Sequence, residues 1–321
     1  MTTDKNPEID VVVRFTTSRV IPPDAREIKL GSYKIHSIPS ATQMLVSPPE
    51  EALLEFIDSW QNGQRASNPE GEARYILAFL SLLGRTVMHY DSAKINNVNI
   101  TFNEKRVYKQ FLGNLAFPPD FEDIYRSLFA LNDKVFIQFI RACLAYQNAV
   151  SLIETYPTLG CFLLVVAVEC LSNVIGKGRS DFERFRDFIL SNLPSQVKSA
   201  QDPDLLKEFL KQIYIEYRSG FTHGGKSVPI AALTLAEKSG LKYIKLVEDG
   251  RDVKYPSLTW FENVARVSLI EFLRKTGKDK DVLEDRTRLA RLALSEAIVT
   301  MRLKRPKKAG EVIFQGDVET Q

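Results

Sequence analysis

The chain has 321 residues, of which 44% are hydrophobic and 26% charged, a globular composition that excludes disordered, collagenous and fibrous proteins. Its formal net charge of +3 gives no bulk electrostatic sign of a nucleic-acid-binding protein. The three cysteines form no CxxC pair and the histidines number only three, which argues against a disulfide framework, a cysteine-based zinc site and a His-rich metal cluster.

The N-terminal region is predicted to begin with strands. Residues 1–10 are polar and predict neither a secretory nor a transit peptide, so we expect a cytoplasmic protein. The segment from Ile9 to Phe15 is β-branched and apolar, and the segment from Ile28 to Ile38 alternates around Gly31. His36 falls in this strand region, where we expect it to have a structural role.

Two helices are predicted next. Ser47 to Glu50 is a capping box with proline at the first helical position. Apolar residues follow this box at helical spacing: Leu53, Phe56, Ile57 and Trp60. Asn68 and Pro69 open the second helix, which is predicted to end at His89, another histidine with an expected structural role. The apolar stripe of this second helix is Ile76, Leu77, Leu80, Leu83 and Val87.

The chain is predicted to divide at the break formed by residues 117–120, after one more strand over residues 96–102. We expect a mainly α protein in which a small mixed α/β domain of unknown role precedes a helical domain. The expected units are residues 1–119, the helical domain 120–277, a C-terminal helix 278–303 and a basic, flexible tail 304–321.

Helix-start signals recur through the second domain. They are Asn132, Pro157, the Ser180–Glu183 capping box, Asp202 with Pro203, and Ser257. The helix that starts at Asp202 is predicted to stop at Gly224 and Gly225, and the helix that starts at Ser257 is predicted to end at Gly277. The apolar stripe of the Asp202 helix is Leu206, Phe209, Leu210, Ile213 and Tyr217.

The most hydrophobic segment, residues 155–176, contains Glu169 near its middle. A membrane-spanning helix needs roughly 20 apolar residues, and a carboxylate at that depth is costly. The segment is therefore predicted to be a buried core helix, and no membrane association is expected.

Residues 220–227 satisfy the GxxxxGK[ST] pattern of a phosphate-binding loop. Such a loop needs a buried strand before it and a helix that begins at its lysine, here Lys226. Charged residues and a capped helical start precede the loop, which favours a helix, although Ile213, Ile215 and Tyr217 also alternate as in a strand. A magnesium-dependent nucleotidase remains one alternative.

Arg218 and His223 form an Arg-x4-His pair near the end of the Asp202 helix. On an α-helix, five residues correspond to about 140° of rotation and roughly 7.5 Å of rise. The two side chains therefore meet only if the helix is distorted at Gly220 or if two copies of the chain meet across a two-fold axis.

The stretch Tyr217-Arg218-Ser219-Gly220-Phe221-Thr222-His223-Gly224-Gly225, together with the apolar helix around Glu169, resembles the HEPN superfamily and within it the Apea-like group. The resemblance covers residues 120–277, whereas residues 1–119 fall outside it. It implies a HEPN-like helical bundle and a homodimer whose two Arg/His pairs line one cleft. It also implies a metal-independent endoribonuclease without a cofactor, in a toxin or antiviral-defence role, with RNA as its partner.

The resemblance implies catalytic roles for Arg218 and His223. An imidazole with a pKa near 6.5 can take the proton of a 2′-hydroxyl or protonate the leaving 5′-oxygen, and a guanidinium can pair bidentately with phosphate. Ser219 would orient a phosphate oxygen, and Glu169 would hold Arg218 or His223. Each residue also has an ordinary structural explanation: the arginine and the histidine can serve the end of their own helix, and Glu169 can bond to backbone or to a neighbouring side chain.

A non-catalytic HEPN module that binds RNA, nucleotide or a partner protein is the main alternative, and the near-neutral charge favours it. By analogy with other two-part proteins, residues 1–119 are expected to be a regulatory or partner-binding domain that restrains the ribonuclease.

Overall fold

The described part of the chain is mainly helical, as the sequence predicts. The computed structural model describes residues 9–17, 27–30, 33–37, 51–58, 69–95, 98–101, 116–176, 180–199, 202–219, 243–248, 251–277, 288–289 and 291–293.

An antiparallel six-stranded sheet forms in the N-terminal region. Its strands are β1 (Ile9–Thr17), β2 (Glu27–Leu30), β3 (Tyr33–Ser37), β4 (Glu51–Asp58), β5 (Met88–Ile95) and β6 (Val98–Thr101). Their spatial order is β2-β3-β4-β1-β5-β6, and every neighbouring pair is antiparallel. The strands predicted within residues 9–15, 28–38 and 96–102 are confirmed, and His36 lies in β3.

The helix predicted after Ser47 is wrong, because residues 51–58 form β4. Leu54 of this strand lies opposite Val13 of β1 on one side and opposite Ile35 of β3 on the other. An apolar run this short fits helical and strand periods alike. Pairing along both edges gives the backbone groups of β4 hydrogen-bond partners, and this tertiary pairing overrides the local capping signal.

The next element is α1 (Pro69–Gly84), which begins at the predicted proline and buries the predicted apolar stripe as far as Leu83, whereas buried Val87 lies beyond the helix. The prediction that it continues to His89 is wrong. The helix ends at Gly84, Arg85 has a positive φ of 50°, and the chain then enters β5, where His89 lies opposite Thr16 of β1. A left-handed residue after a helix reverses the chain direction, which explains the early end of α1.

After the predicted break, helices dominate. They are α2 (Phe121–Phe129), α3 (Asp133–Leu152), α4 (Pro157–Ile175), α5 (Asp181–Asn192), α6 (Ser195–Ser199), α7 (Pro203–Gln212) and α8 (Leu258–Gly277). A π-helical segment, Ile213–Ser219, continues α7 directly. Between this segment and α8 lies a β-hairpin of β7 (Tyr243–Glu248) and β8 (Arg251–Pro256).

The predicted helix starts are confirmed by their capping contacts. Ser180 and Glu183 form the reciprocal capping box of α5, and the side chains of Asn132 and Asp202 accept backbone hydrogen bonds at the starts of α3 and α7. The Ser257 hydroxyl accepts from the backbone N–H of Trp260 at 3.1 Å, and α4 starts at Pro157. The short helices α2 and α6 were not predicted.

Helix α4 is a core helix that packs against α3, α5, α8 and the π-helical segment. Gly160 allows its close approach to the end of α3, because a Cβ at this position would lie 2.7 Å from Cα of Ile153. In the described residues α4 alone is long and apolar enough to cross a membrane, and 50% of its apolar window is buried inside the protein. Cytoplasmic location stays a prediction.

Helix α1 precedes the predicted boundary at residue 119, yet it packs on α3 and α8 in the same hydrophobic core. Glu262 of α8 is 1% exposed and makes polar contacts within this core. It accepts a hydrogen bond from the Tyr146 hydroxyl at 2.6 Å, and Arg85 Nη2 lies 2.7 Å from its other oxygen. These residues, here called the Glu262 cluster, link the end of α1 to α3 and α8. The domain boundary itself stays a prediction.

Residues 288–289 and 291–293 are helical and pack against the same core, with Leu289, Leu292 and Ala293 buried. Arg288 Nη1 donates to the carbonyl of Phe129 at 3.0 Å, and its guanidinium lies 4.2 Å from the centre of the Phe136 ring. The rest of the predicted C-terminal helix and the tail lie outside the described residues.

An ion pair joins the start of α2 to the end of α8. Arg274 Nε and Nη2 each donate to the Asp120 carboxylate at 2.7 Å. The hydrogen bond from Arg274 lowers the pKa of Asp120 below its ordinary value of 3.8.

Asp120→Asn is expected to lower the free energy of unfolding by about 1 kcal/mol at neutral pH, because the pair is bidentate but partly exposed. Since the folded-state pKa of Asp120 is depressed, its stabilisation is complete above the unfolded pKa and is lost as the pH falls through the folded pKa. Urea unfolding of both proteins between about pH 7 and pH 3 measures this difference. A difference that stays constant down to the acid limit would contradict the assignment.

Candidate functional site

Glu169 is a carboxylate in the middle of the most apolar helix of the described chain. It is 8% exposed, and its neighbours on α4, Val168 and Leu171, are fully buried. A buried carboxylate is stable only when other groups donate hydrogen bonds to it or carry the opposite charge. The structure supplies both kinds of partner from the π-helical segment.

The π-helical segment begins where α7 ends and includes Arg218 and Ser219. Its hydrogen bonds run from residue i to i+5, so its turns are wider than those of an α-helix, and such segments often occur at functional sites. The Ser219 hydroxyl donates to the carbonyl of Tyr214 at 3.4 Å, five residues earlier. A distorted helix is one of the two conditions under which Arg218 and His223 could meet, and a distortion is present over residues 213–219, before Gly220.

Tyr214 and Arg218 both contact the Glu169 carboxylate; these three residues are here called the Glu169 cluster. The Tyr214 hydroxyl donates to Glu169 Oε1 at 2.7 Å. Arg218 Nη2 lies 3.3 Å from Oε1 and 3.5 Å from Oε2. The Arg218 guanidinium carbon also lies 5.4 Å from the centre of the Tyr214 ring, within the range of a cation–π contact. Each member therefore contacts the other two.

The ring of Tyr214 is held in place by two phenylalanines of α5. Its centre lies 5.0 Å from that of Phe185 and 5.6 Å from that of Phe182. Burial, together with the hydrogen bond to Glu169 and its charge, raises the pKa of Tyr214 well above the ordinary value for tyrosine. The phenol therefore stays protonated at neutral pH and serves as a permanent hydrogen-bond donor.

The members of the cluster differ in how far their side chains are exposed to solvent. The side chain of Glu169 is 10% exposed and that of Arg218 is 26% exposed. The Glu169 carboxylate is thus the buried part of the cluster, and the Arg218 side chain is partly exposed to solvent. A guanidinium has planar N–H donors that match the geometry of phosphate.

Of the predicted site residues, Glu169 and Arg218 are in direct contact, and Ser219 follows Arg218 in the chain. His223 lies outside the described residues. Sequence analysis missed Tyr214, because it extended the α7 stripe through Ile213 to Tyr217 with α-helical spacing. The spacing of the residues could have identified Tyr214, because it lies four residues before Arg218 and four after Leu210, a separation that puts side chains on the same face of a helix.

The strand proposed as an alternative over residues 213–217 is wrong, because these residues are helical. A phosphate-binding loop at residues 220–227 would therefore lack the strand that its mechanism requires. The loop residues themselves lie outside the described part of the chain.

The described residues also bear on metal binding and on thiol chemistry. In the described residues no group of three or more His, Cys, Asp and Glu side chains is placed to hold a metal ion. Cys143 and Cys161 are buried, and burial raises the pKa of the partly buried Cys170 to about 11. A thiol with so high a pKa is a poor nucleophile at neutral pH.

The chain matches no protein-family model, no curated protein and no solved structure. Its function is therefore inferred from the chemistry of its own residues, beginning with the Glu169 cluster.

Tyr214→Phe is expected to lower the free energy of unfolding by about 1–2 kcal/mol, because the buried Glu169 carboxylate loses a hydrogen-bond donor. Tyr146→Phe is the matched control, since it removes the corresponding bond to buried Glu262. Denaturant unfolding of both variants measures the two losses. A loss in Tyr146→Phe without any loss in Tyr214→Phe would show that the Glu169 contact does not stabilise the fold.

Proposed function

We propose that the chain is a metal-independent endoribonuclease of HEPN type, with a HEPN-like helical bundle over residues 120–277. The observation that carries the proposal is the position of Arg218: Glu169 holds it at 3.3 Å, in a π-helical segment that ends four residues before His223. An arginine held by a buried acid, followed closely by a histidine, is suited to the cleavage of a phosphodiester.

Arg218 would bind the scissile phosphate. Its charge matches the phosphate, and its N–H donors stabilise the additional negative charge of the transition state. Glu169 and Tyr214 fix the guanidinium before substrate arrives, so that less side-chain entropy is lost on binding. Ser219 lies beside this contact and would orient a phosphate oxygen.

His223 would supply acid–base catalysis. The 2′-oxygen attacks phosphorus, its proton passes to an imidazole, and the bond from phosphorus to the 5′-oxygen breaks as that oxygen takes a proton. The products are a 2′,3′-cyclic phosphate and a free 5′-hydroxyl. Both the base and the acid are needed, and a homodimer with two copies of His223 in one cleft would provide them.

The wider role follows from the same proposal. A metal-independent ribonuclease in the cytoplasm suits a toxin or antiviral-defence system, which requires restraint. The N-terminal region would bind a regulatory partner. The packing of α1 against α3 and α8 offers a physical connection between this region and the helical core.

A non-catalytic module that binds RNA, nucleotide or a partner protein is the second candidate. One observation favours it: the charge of Arg218 is matched by Glu169, so the pair also satisfies itself without a ligand. The two candidates differ in whether bound RNA is cleaved.

His223→Ala is expected to reduce RNA cleavage by at least about 100-fold while folding is retained, because a general acid–base group contributes 10²–10⁴-fold to the rate. The assay uses end-labelled single-stranded RNA in EDTA and identifies the 2′,3′-cyclic phosphate end. His89→Ala is the control, because His89 lies in β5 of the sheet. Equal cleavage by wild type and His223→Ala would refute the catalytic role, and RNA binding without cleavage by either would favour the second candidate.

A further inference from the structure

A surface groove of about 250 Å³ lies between α7 with the π-helical segment and the β7–β8 hairpin. Its lining residues are Glu208, Lys211, Gln212, Ile215, Val253 and Lys254. Phe209 joins the two walls, because its ring packs 5.5 Å from Tyr243 of the hairpin and 5.4 Å from Trp260 at the start of α8. The groove is therefore a fixed surface of the helical region.

Positive charge is present on both walls of the groove. Lys211 is exposed on α7, and Lys254 faces it from β8. Lys254 also lies directly opposite Lys245 of β7 in the hairpin register. The two lysines of the lining outnumber its carboxylate, Glu208, so the groove carries net positive charge and complements an anionic ligand.

Apolar and aromatic surface lies beside these lysines. Ile215 lines the groove and is 44% exposed, which is unusual for a large hydrophobic residue in the described chain. Tyr243 is half-buried, and the Lys254 ammonium lies 5.7 Å from its ring centre. Cationic side chains interleaved with apolar and aromatic surface are typical of proteins that bind single-stranded nucleic acid.

Lys211 and Ile215, which line the groove, belong to the same continuous helix as Arg218. Ile215 lies three residues before Arg218, and Lys211 lies seven residues before it on the same continuous helix. At a rise of at most about 1.5 Å per residue, Lys211 is within roughly 11 Å of Arg218 along the helix axis. An extended strand in the groove would therefore reach Arg218 within a few nucleotides.

We propose that this groove binds the single-stranded RNA segment that flanks the phosphate held by Arg218. The inference rests on the proposed function, because it assigns the substrate track of that site.

The test is fluorescence anisotropy with a labelled 2′-O-methyl RNA strand, which lacks the attacking hydroxyl and cannot be cleaved. The double variant Lys211→Gln, Lys254→Gln is expected to bind more weakly than wild type. The slope of log affinity against log salt is expected to fall by about 1.4, since each phosphate contact on a single strand contributes about 0.7. Lys207→Gln is the control, because Lys207 is on α7, pairs with Asp204 and does not line the groove.

Unchanged affinity and an unchanged salt slope in the double variant would overturn the inference. Failure of the wild-type protein to bind RNA would also overturn it and would favour an acidic protein segment as the ligand. The binding readout separates this inference from the proposed function. Groove-dependent binding by a protein that cleaves nothing would refute the ribonuclease and support the groove, whereas cleavage with groove-independent binding would refute the groove alone.

Discussion

The helical region is built around a carboxylate in an apolar helix. Glu169 is buried in α4, which packs against α3, α5, α8 and the π-helical segment. Burial of an unpaired carboxylate costs several kcal/mol, so the fold requires partners for it. Tyr214 and Arg218 fill this requirement, and they do so from one segment that follows α7. The need to pair Glu169 therefore couples the stability of the core to the position of Arg218.

The π-helical segment supplies both partners of the buried Glu169 carboxylate. Tyr214 and Arg218 lie four residues apart in this segment and both contact the Glu169 carboxylate, while the Ser219 hydroxyl donates to the Tyr214 carbonyl. The Glu262 cluster uses the same three residue types between α1, α3 and α8, with Glu262 more deeply buried. The Arg218 side chain in the first cluster is 26% exposed, and the chain continues from it toward His223. The proposed function depends on this partial exposure of Arg218, in addition to the structural role of the cluster.

Much of the helical region could be predicted from the sequence, because its signals are local. The caps at Asn132, Ser180 and Asp202 each depend on a side chain and backbone N–H groups two or three residues away. Strand β4 could not be predicted in this way, since its partners β1 and β3 are distant in sequence and its apolar run fits both periods.

The residues of the candidate site were likewise predictable only in part. Glu169 and Arg218 stand out in the sequence, one as an acid in an apolar helix and the other in a motif, and the resemblance to HEPN proteins suggests their pairing. Tyr214 was missed because the predicted apolar stripe passes through Ile213 and Tyr217, although Tyr214 lies four residues after Leu210 and four before Arg218. The end of α1 was missed because the positive φ of Arg85 has no signature in its residue type.

The most direct measurement is a double-mutant cycle of RNA cleavage rates for wild type, Glu169→Gln, Arg218→Met and the double variant. If Glu169 acts by holding Arg218, its substitution lowers the rate in the wild-type background and has little further effect once Arg218 is replaced. The expected coupling is about 1–2 kcal/mol. Additive effects within about 0.5 kcal/mol, or no cleavage by the wild type, would contradict the account.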